Sequence, residues 1–447
     1  MYVFMDYLPA WMFVVLFGLL LIGYPVAFTI GALAILFGWI GFGLSFFHLL
    51  PLRIWGVMQN FTLVAVPLFV FMGVTLERSG LAEELLDTMA ILFGKLRGGL
   101  AISVIVVGAL LAASTGIVGA TTVTMGLLAL PSMMRRNYSP ELATGTIAAS
   151  GTLGQIIPPS IVLVVLADIM NISVGDLFVG AILPGFLLVG LYLIFIIVNG
   201  IVRPETCPPV PAEELAAISG RELMRRTVVS MMLPLSLMLA VLGSIFAGIA
   251  SPTEAAAVGA SFAMLLAMAM RKFSMSKFRE VMLATVRLTS MIFIILVGAQ
   301  AFGLTFRGLG GDELIRNFLT DLNVGPNGVL AMVMVTLFLA GFFLDFIEIT
   351  FIHVPVLTPI MAYYGFDATW FAILIAVNLQ TSFLTPPFGY ALFYLKSVCP
   401  PGVTTIHIYK GIVPFVILQL IGLTVVVFFP QLVLYLPCVI FGSHCVG

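Results

Sequence analysis

Charged side chains are scarce here: Asp, Glu, Lys and Arg make up 9% of 447 residues, against 61% hydrophobic residues. So little charge cannot cover the surface of a water-soluble protein of this size, and a lipid bilayer must be the solvent instead. The phosphate-cradling pattern GxxxxGK(S/T) and the zinc-binding pattern HExxH are both missing, so neither ATP hydrolysis nor metalloprotease chemistry is supported. Four dispersed histidines, without a nucleophile or metal set, argue against an intramembrane enzyme. Cysteine is sparse too. Cys207, Cys399, Cys438 and Cys445 contain no CxxC pair, which argues against a metal cage or a disulfide framework. Cys438 and Cys445 can pair only if the C-terminus faces an oxidising space, and they read instead as two unrelated small apolar residues. No Lys or Arg precedes the first apolar run near Leu8, and no small-residue cleavage signature follows it, so that run reads as a retained span.

What is present is a long series of apolar stretches, each able to cross about 30 Å of hydrocarbon at 1.5 Å per residue. They fall at about 8–24, 27–47, 59–77, 141–170, 177–202, 229–249, 253–270, 287–306, 368–398 and 412–436. That predicts an all-α polytopic membrane protein with about ten transmembrane helices. Two further apolar regions, 99–134 and 327–362, are interrupted at their centres by small or polar residues. Each arm of the first, flanking Ser114, Thr115 and Gly116, holds roughly 15 residues, or about 22 Å of helix, which is too short to cross. Lys95 and Arg97 precede that region and Arg135 and Arg136 follow it, so both of its ends prefer the cytoplasm. A segment that enters and leaves on one side is a re-entrant hairpin. The second region lies between Asp321 and Asp367 with no nearby positive charge, and is expected to enter from the opposite face. Walking the spans outward from this anchor places sixteen of the nineteen Lys and Arg residues on the cytoplasmic side, leaving out only Arg53, Arg307 and Arg316. The polar stretch 203–228 reads as a cytoplasmic linker between halves.

The chain also matches itself at an offset of 228: Pro131 with Pro359, Pro158-Pro159 with Pro386-Pro387, Thr122 with Thr350, and Ile147-Ala148 with Ile375-Ala376. At an offset of 230, Gly73, Thr75, Gly80 and Glu83 match Gly303, Thr305, Gly310 and Glu313. Each copy holds one hairpin followed by a span interrupted by Pro-Pro, and the charges put the two hairpins on opposite faces. Such an inverted repeat, with paired Gly- and Pro-broken helices, points to a binding site at the bilayer midplane and to alternating access.

Four breaks are expected to converge there. Ser114, Thr115, Gly116, Gly151, Thr152, Gln380, Thr381 and Ser382 are the candidate substrate-binding residues. Ser114, Gly154, Pro158, Asp345, Glu348, Thr385 and Pro386 are the candidate ligands of a coupling cation, taken as Na⁺. Half-helix N-termini present N–H groups and positive dipole ends that suit an anion, whereas half-helix C-termini present carbonyls that suit a hard cation. Proline pairs fix a break in place by removing donors and disfavouring helix in the preceding residue. An acidic group at the middle of a membrane helix costs about 2.5–3.5 kcal/mol, so Asp345 and Glu348 need compensation, either by ligating Na⁺ or by bracing the hairpin tip. His353, one turn on, reads as a packed histidine more readily than as a proton relay.

At these residues the chain resembles the large membrane subunit of tripartite ATP-independent periplasmic (TRAP) transporters, the DctM-like permeases. The resembling stretches are Gly154-Gln-Ile-Ile-Pro-Pro-Ser160, Gly180-Ala-Ile-Leu-Pro-Gly185, Gly341 through Asp345 with Glu348, Pro355-Val-Leu-Thr-Pro359 and Leu384-Thr-Pro-Pro-Phe-Gly389. At the first hairpin tip, Ser114-Thr115-Gly116 departs from the Ser-Gly-Ser usual in that family, and Ser114 is the residue carried over. The resemblance implies a Na⁺-coupled importer of organic acids in a bacterial inner membrane, without an organic cofactor and without nucleic acid. It implies two partners, a periplasmic solute-binding protein and a small membrane subunit. It also implies an elevator in which 80–176 and 307–411 move as a transport domain. The segments 1–79, 177–306 and 412–447 would then be scaffold. Sialic acid, dicarboxylates, keto acids and lactate remain open as substrates, and a stand-alone Na⁺-coupled anion symporter is the alternative.

Overall fold

The computed structural model describes the chain apart from residues 1–6, 116–117, 212, 214–218, 322–323, 387–388 and 444–447, and apart from the side chains of 112–115 and 320. Its described residues are helical with short connections. Among them, six helices are long and apolar enough to cross a bilayer unbroken, led by Val174–Val202, Met275–Gly308 and Thr405–Phe428.

The first copy of the repeat begins with α4 (Ala65–Arg78) and, bent from it by 58°, the amphipathic arm α5 (Leu81–Leu92). Gly80 makes the corner with φ +73°, a backbone region open to glycine without strain. Hairpin 1 follows as α6 (Gly99–Thr115) and α7 (Val118–Arg135), two arms packed on one another. The broken span is α8 (Pro140–Thr152), a 3-10 turn Leu153–Gln155, and α9 (Ile161–Met170). In the second copy, α13 (Met275–Gly308) leads into the amphipathic arm α14 (Gly311–Asp321), hairpin 2 comprises α15 (Gly325–Ala340), α16 (Phe346–Ile352) and α17 (Val354–Tyr363), and the broken span is α18 (Ala368–Leu384) with α19 (Tyr390–Ser397). The remaining helices are α1 (Leu8–Ile22), α2 (Val26–Phe42), α3 (Phe46–Met58), α10 (Val174–Val202), α11 (Gly220–Phe246), α12 (Pro252–Ala269), α20 (Thr405–Phe428) and α21 (Gln431–Phe441).

Hydrogen bonds pair the ends that the charge distribution puts on one face. The Gly98 N–H donates to the Cys207 carbonyl at 3.0 Å, the Val210 N–H to Gly94 at 2.9 Å, and the Ser139 N–H to Thr206 at 2.9 Å. One stretch of the linker therefore holds both the start and the finish of hairpin 1. On the other face, the Asn60 amide donates to Asp168 at 2.7 Å, the Thr253 hydroxyl to the Phe61 carbonyl at 3.1 Å, and the Trp370 indole to the Val426 carbonyl at 2.9 Å.

Two departures from the sequence reading have plain causes. The last span does not run through 436. It stops at Phe428 because Pro430 cannot continue the helix, and α21 then turns back onto α10. Cys438 is disulfide-bonded rather than an idle apolar residue, whereas Cys207 and Cys399 are free thiols and Cys445 lies outside the described residues. The charge distribution puts this end of the chain on the oxidising side, where a disulfide persists.

Candidate functional site

Three of the four breaks come together among the described residues, and the tip of hairpin 1 lies outside them. Gly151, in the last turn of α8, lies so close to Thr122 on α7 that an added Cβ would overlap the Thr122 hydroxyl. Gly341, at the break of hairpin 2, is pressed in the same way against the Ser382 hydroxyl on α18. Glycine is thus required at both places by close approach between a hairpin and its own broken span. The two halves are joined in turn by Gln380, whose amide donates to the Thr152 hydroxyl at 3.2 Å while Thr152 donates to the Ala149 carbonyl at 2.9 Å. Asn378, which sequence reasoning passed over, ties α18 to hairpin 2 by donating to the Met334 carbonyl at 2.7 Å. Its only advance signal is its position two residues before Gln380 in an otherwise apolar helix.

A cavity of about 410 Å³ opens at this junction. The first residues of α7, α9, α16 and α19 (Val118, Ile161, Phe346 and Tyr390) stand in its wall, so four helices begin at one space, and a helix N-terminus carries the positive end of its dipole. Gln155, Asp345 and Tyr394 also line it. Its remaining wall comes from outside the hairpins, from Val70 on α4 and from Leu288, Met291 and Ile292 on α13, none of which the sequence singled out.

Asp345 is the N-cap of α16. One of its carboxylate oxygens accepts from the Phe346 N–H at 2.7 Å, and Glu348 reaches back to accept from the Asp345 N–H at 2.9 Å, completing a capping box. Both acids thus hold the start of α16 by local hydrogen bonds. Tyr390 braces the same tip by donating to the Phe343 carbonyl at 3.0 Å. His353 is packed between Phe13 and Phe17, with ring centroids 5.9 and 6.0 Å away.

Of the other candidates, Thr381, Ser382 and Thr385 spend their hydroxyls on the carbonyls of Val377, Leu379 and Thr381, each at 2.8–2.9 Å. Gly154 lies in the 3-10 turn, Pro158 in the break beyond it, and Pro386 in the break after α18. Ser114 and Thr115 end α6, but their side chains, like Gly116, lie outside the described residues. Buried oxygens without a hydrogen-bond partner cluster near both breaks: Thr122 and Gln155 in the first copy, and Thr350 and Gln380 in the second. Thr122 and Thr350 are the same position in the two copies. Among the described residues no cluster of His, Cys, Asp and Glu could hold a metal ion, so hydroxyl and carbonyl oxygens are the donors on offer.

Two hairpins and two broken spans gathered around one cavity are the arrangement of a secondary transporter of the membrane. Comparison with known proteins names the group. The family model for the DctM component of the tripartite ATP-independent periplasmic transporter matches residues 13–432, and the chain belongs to that family. It is 32% identical to the C4-dicarboxylate TRAP transporter large permease protein DctM of Pseudomonas aeruginosa, over 87% of this chain and 89% of that one. It is 28% identical both to the ectoine permease TeaC of Halomonas elongata, over 94% and 96% of the two chains, and to the sialic acid permease SiaM of Vibrio cholerae, over 95% and 97%. The crystal structure of the Alcanivorax borkumensis YdaH transporter shares the fold, with a TM-score of 0.62 at 16% identity over 87% of this chain and 89% of that one. The protein is accordingly a multi-pass transporter subunit of the inner membrane and not an enzyme.

Proposed function

We propose that this permease imports an organic acid together with Na⁺, receiving it from a periplasmic solute-binding protein and working beside a small membrane subunit. The observation that carries the reading is the cavity itself: α7, α9, α16 and α19 begin at its wall, Gln155 lines it with an unpartnered side-chain oxygen, and the unpartnered oxygens of Thr122, Thr350 and Gln380 lie on the hairpins and broken span that build it. Helix N-termini favour a carboxylate. Uncharged oxygens suit a hard monovalent cation, which would also offset the charge of the cargo. Ser114, Gly154, Pro158, Thr385 and Pro386 would add carbonyls or a hydroxyl to the cation's shell.

Transport would proceed by an elevator in which the two hairpins and broken spans slide as one body past α4 and α13, with α5 and α14 as connecting arms. The packing favours carrying α20 with the moving body. Gly145 and Gly411 let the backbones of α8 and α20 touch, and Thr144 donates to the His407 carbonyl at 3.4 Å, so a boundary at 411 would cut a helix joined to α8 along its first turns.

Reconstitution with the binding protein and the small subunit produced alongside it tests the reading. Uptake is expected to rise with an inward Na⁺ gradient and to collapse without one. Uptake that is indifferent to Na⁺ would refute the coupling, and uptake without a binding protein would favour the stand-alone symporter.

A further inference from the structure

We infer that a second cavity, between α1 and hairpin 2, holds an acyl chain of a phospholipid. The inference is independent of cargo and coupling, because this cavity shares none of its described lining residues with the one at the hairpin tips.

The cavity measures about 610 Å³ and has three walls. Phe13 and Phe17 of α1 form the first, Val333 of α15 with Leu357 of α17 the second, and Ile315 and Phe318 of α14 the third. At one end the rings of Phe13 and Phe17 lie 5.9 and 6.0 Å from His353, and Phe13 stands edge-on to Phe302 and Phe306 of α13. Beyond that aromatic contact the space keeps α1 and hairpin 2 apart.

The mouth shows what adjoins the cavity. Leu21, Phe318 and Leu339 line it and yet are 65%, 58% and 51% exposed. In a chain whose solvent is the bilayer, large apolar side chains so exposed face hydrocarbon, so the cavity opens to lipid. The helix α14 sets the depth. Its Ile315, Phe318 and Leu319 turn to the cavity while Glu313, Arg316 and Asn317 are exposed, the division expected of a helix lying along the membrane boundary. A phospholipid beside α14 has its phosphate on the side that carries Arg316, which matches it in charge, and its tail at the mouth.

Size and packing select the occupant. Left empty, the walls forfeit dispersion contacts on one side. A helix of the small subunit is about 10–12 Å across, so two turns of it occupy roughly 850 Å³ or more, which exceeds the cavity. A flexible hydrocarbon chain threads the space, and it is the material already at the mouth. Its gain is in packing and not in hydrophobic transfer, since lipid tails are as apolar as Leu.

The test is native mass spectrometry of the full-length permease extracted in mild detergent. The parent is expected to keep a bound phospholipid through purification. Thr336→Trp, which builds a ring into the cavity, is expected to cut that occupancy about five-fold or more. Val335→Trp, on the neighbouring exposed face of α15 and outside the cavity, should keep it. Leu21→Trp at the mouth is the second filled variant, and reports in place of Thr336→Trp should that one fail to fold. In parallel, phosphatidylglycerol added back to the delipidated parent should raise its melting temperature, and the rise should be lost in the filled variants. Equal retention in the parent and the filled variants overturns the inference, as does a parent that retains no phospholipid and gains no stability from it. Loss of the lipid when the small subunit is bound would make that subunit the occupant and overturn the inference too. None of these outcomes bears on the cargo cavity.

Discussion

Thr152 and Gln380 stand 228 residues apart, which is the offset of the internal repeat, and their side chains are hydrogen-bonded at 3.2 Å. Each is therefore bonded to its own counterpart in the other copy. Two equivalent positions can touch only close to the axis that relates them, so this pair marks the pseudo-two-fold at the centre of the inverted repeat. Both residues are fully buried, and the free Gln380 oxygen lies at the same centre.

Breaking that bond should weaken the junction between halves. A typical buried hydrogen bond contributes about 1 kcal/mol, and leaving a partner unsatisfied costs about 1–3 kcal/mol. Thr152→Val and Gln380→Leu are each expected to lower the melting temperature, whereas the double variant should lose less than the sum. A double-mutant cycle with no coupling would show that the two side chains act independently.

The close approaches at Gly151 and Gly341 predict matched outcomes in the two halves. Gly151→Ala forces Thr122 aside and Gly341→Ala forces Ser382 aside, an overpacking that costs about 1–3 kcal/mol. Truncating the obstructing side chain, as in Gly341→Ala with Ser382→Ala, should restore part of the stability and of the uptake. A loss in Gly341→Ala that Ser382→Ala does not relieve would place its cause elsewhere.

Asp345 separates bracing from ion binding. Asn is as good an N-cap as Asp, so Asp345→Asn should keep the α16 cap, whereas Asp345→Ala loses about 1 kcal/mol with it. If Asp345 also ligates Na⁺, the Asn variant will melt like the parent yet show reduced Na⁺-dependent uptake. Unchanged uptake in Asp345→Asn would confine the residue to the cap.

Burial pushes the Cys207 thiol up from its ordinary range, although Thr206 and Asn199 lie beside it as weak partners. A raised thiol pKa leaves less thiolate at neutral pH, and the thiolate is the reactive form. Alkylation of Cys207 in the folded protein should therefore be slow at pH 7 and accelerate only above the usual thiol range. Rapid modification at pH 7 would mean that the linker opens away from hairpin 1.

The backbone plan was legible in the sequence because it is written in prolines, glycines and charges, whose effects are local. Pro158-Pro159 and Pro386-Pro387 mark breaks whatever surrounds them, and Lys95, Arg97, Arg135 and Arg136 fix the face of hairpin 1. At the same offset Thr152 falls on Gln380, but unlike residues at matching positions carry no sign that their side chains touch. Side-chain partnerships across helices were not legible. Leu288, Met291 and Ile292 look like any lipid-facing stripe until α13 is seen against the hairpin tips. Asn378 became visible as a tie only once Met334 was beside it. Nor did the pattern separate two roles for Asp345 and Glu348, because an i,i+3 acidic pair at a break is equally a capping box and a cation site until the N–H partners are known. The helix α21 was absorbed into the preceding span because apolarity continues across Pro430 without interruption.

The central claim is that the two hairpins enter from opposite faces and leave by the face they entered. Single cysteines at Leu96 and Asn137, and at Val324 and Gly365, in a background with all four native cysteines replaced by alanine, can be labelled with a membrane-impermeant maleimide from either side. The first pair should label from the cytoplasmic side only, and the second from the periplasmic side only. If the two ends of either hairpin label from opposite sides, that region crosses the bilayer, and the inverted site does not exist.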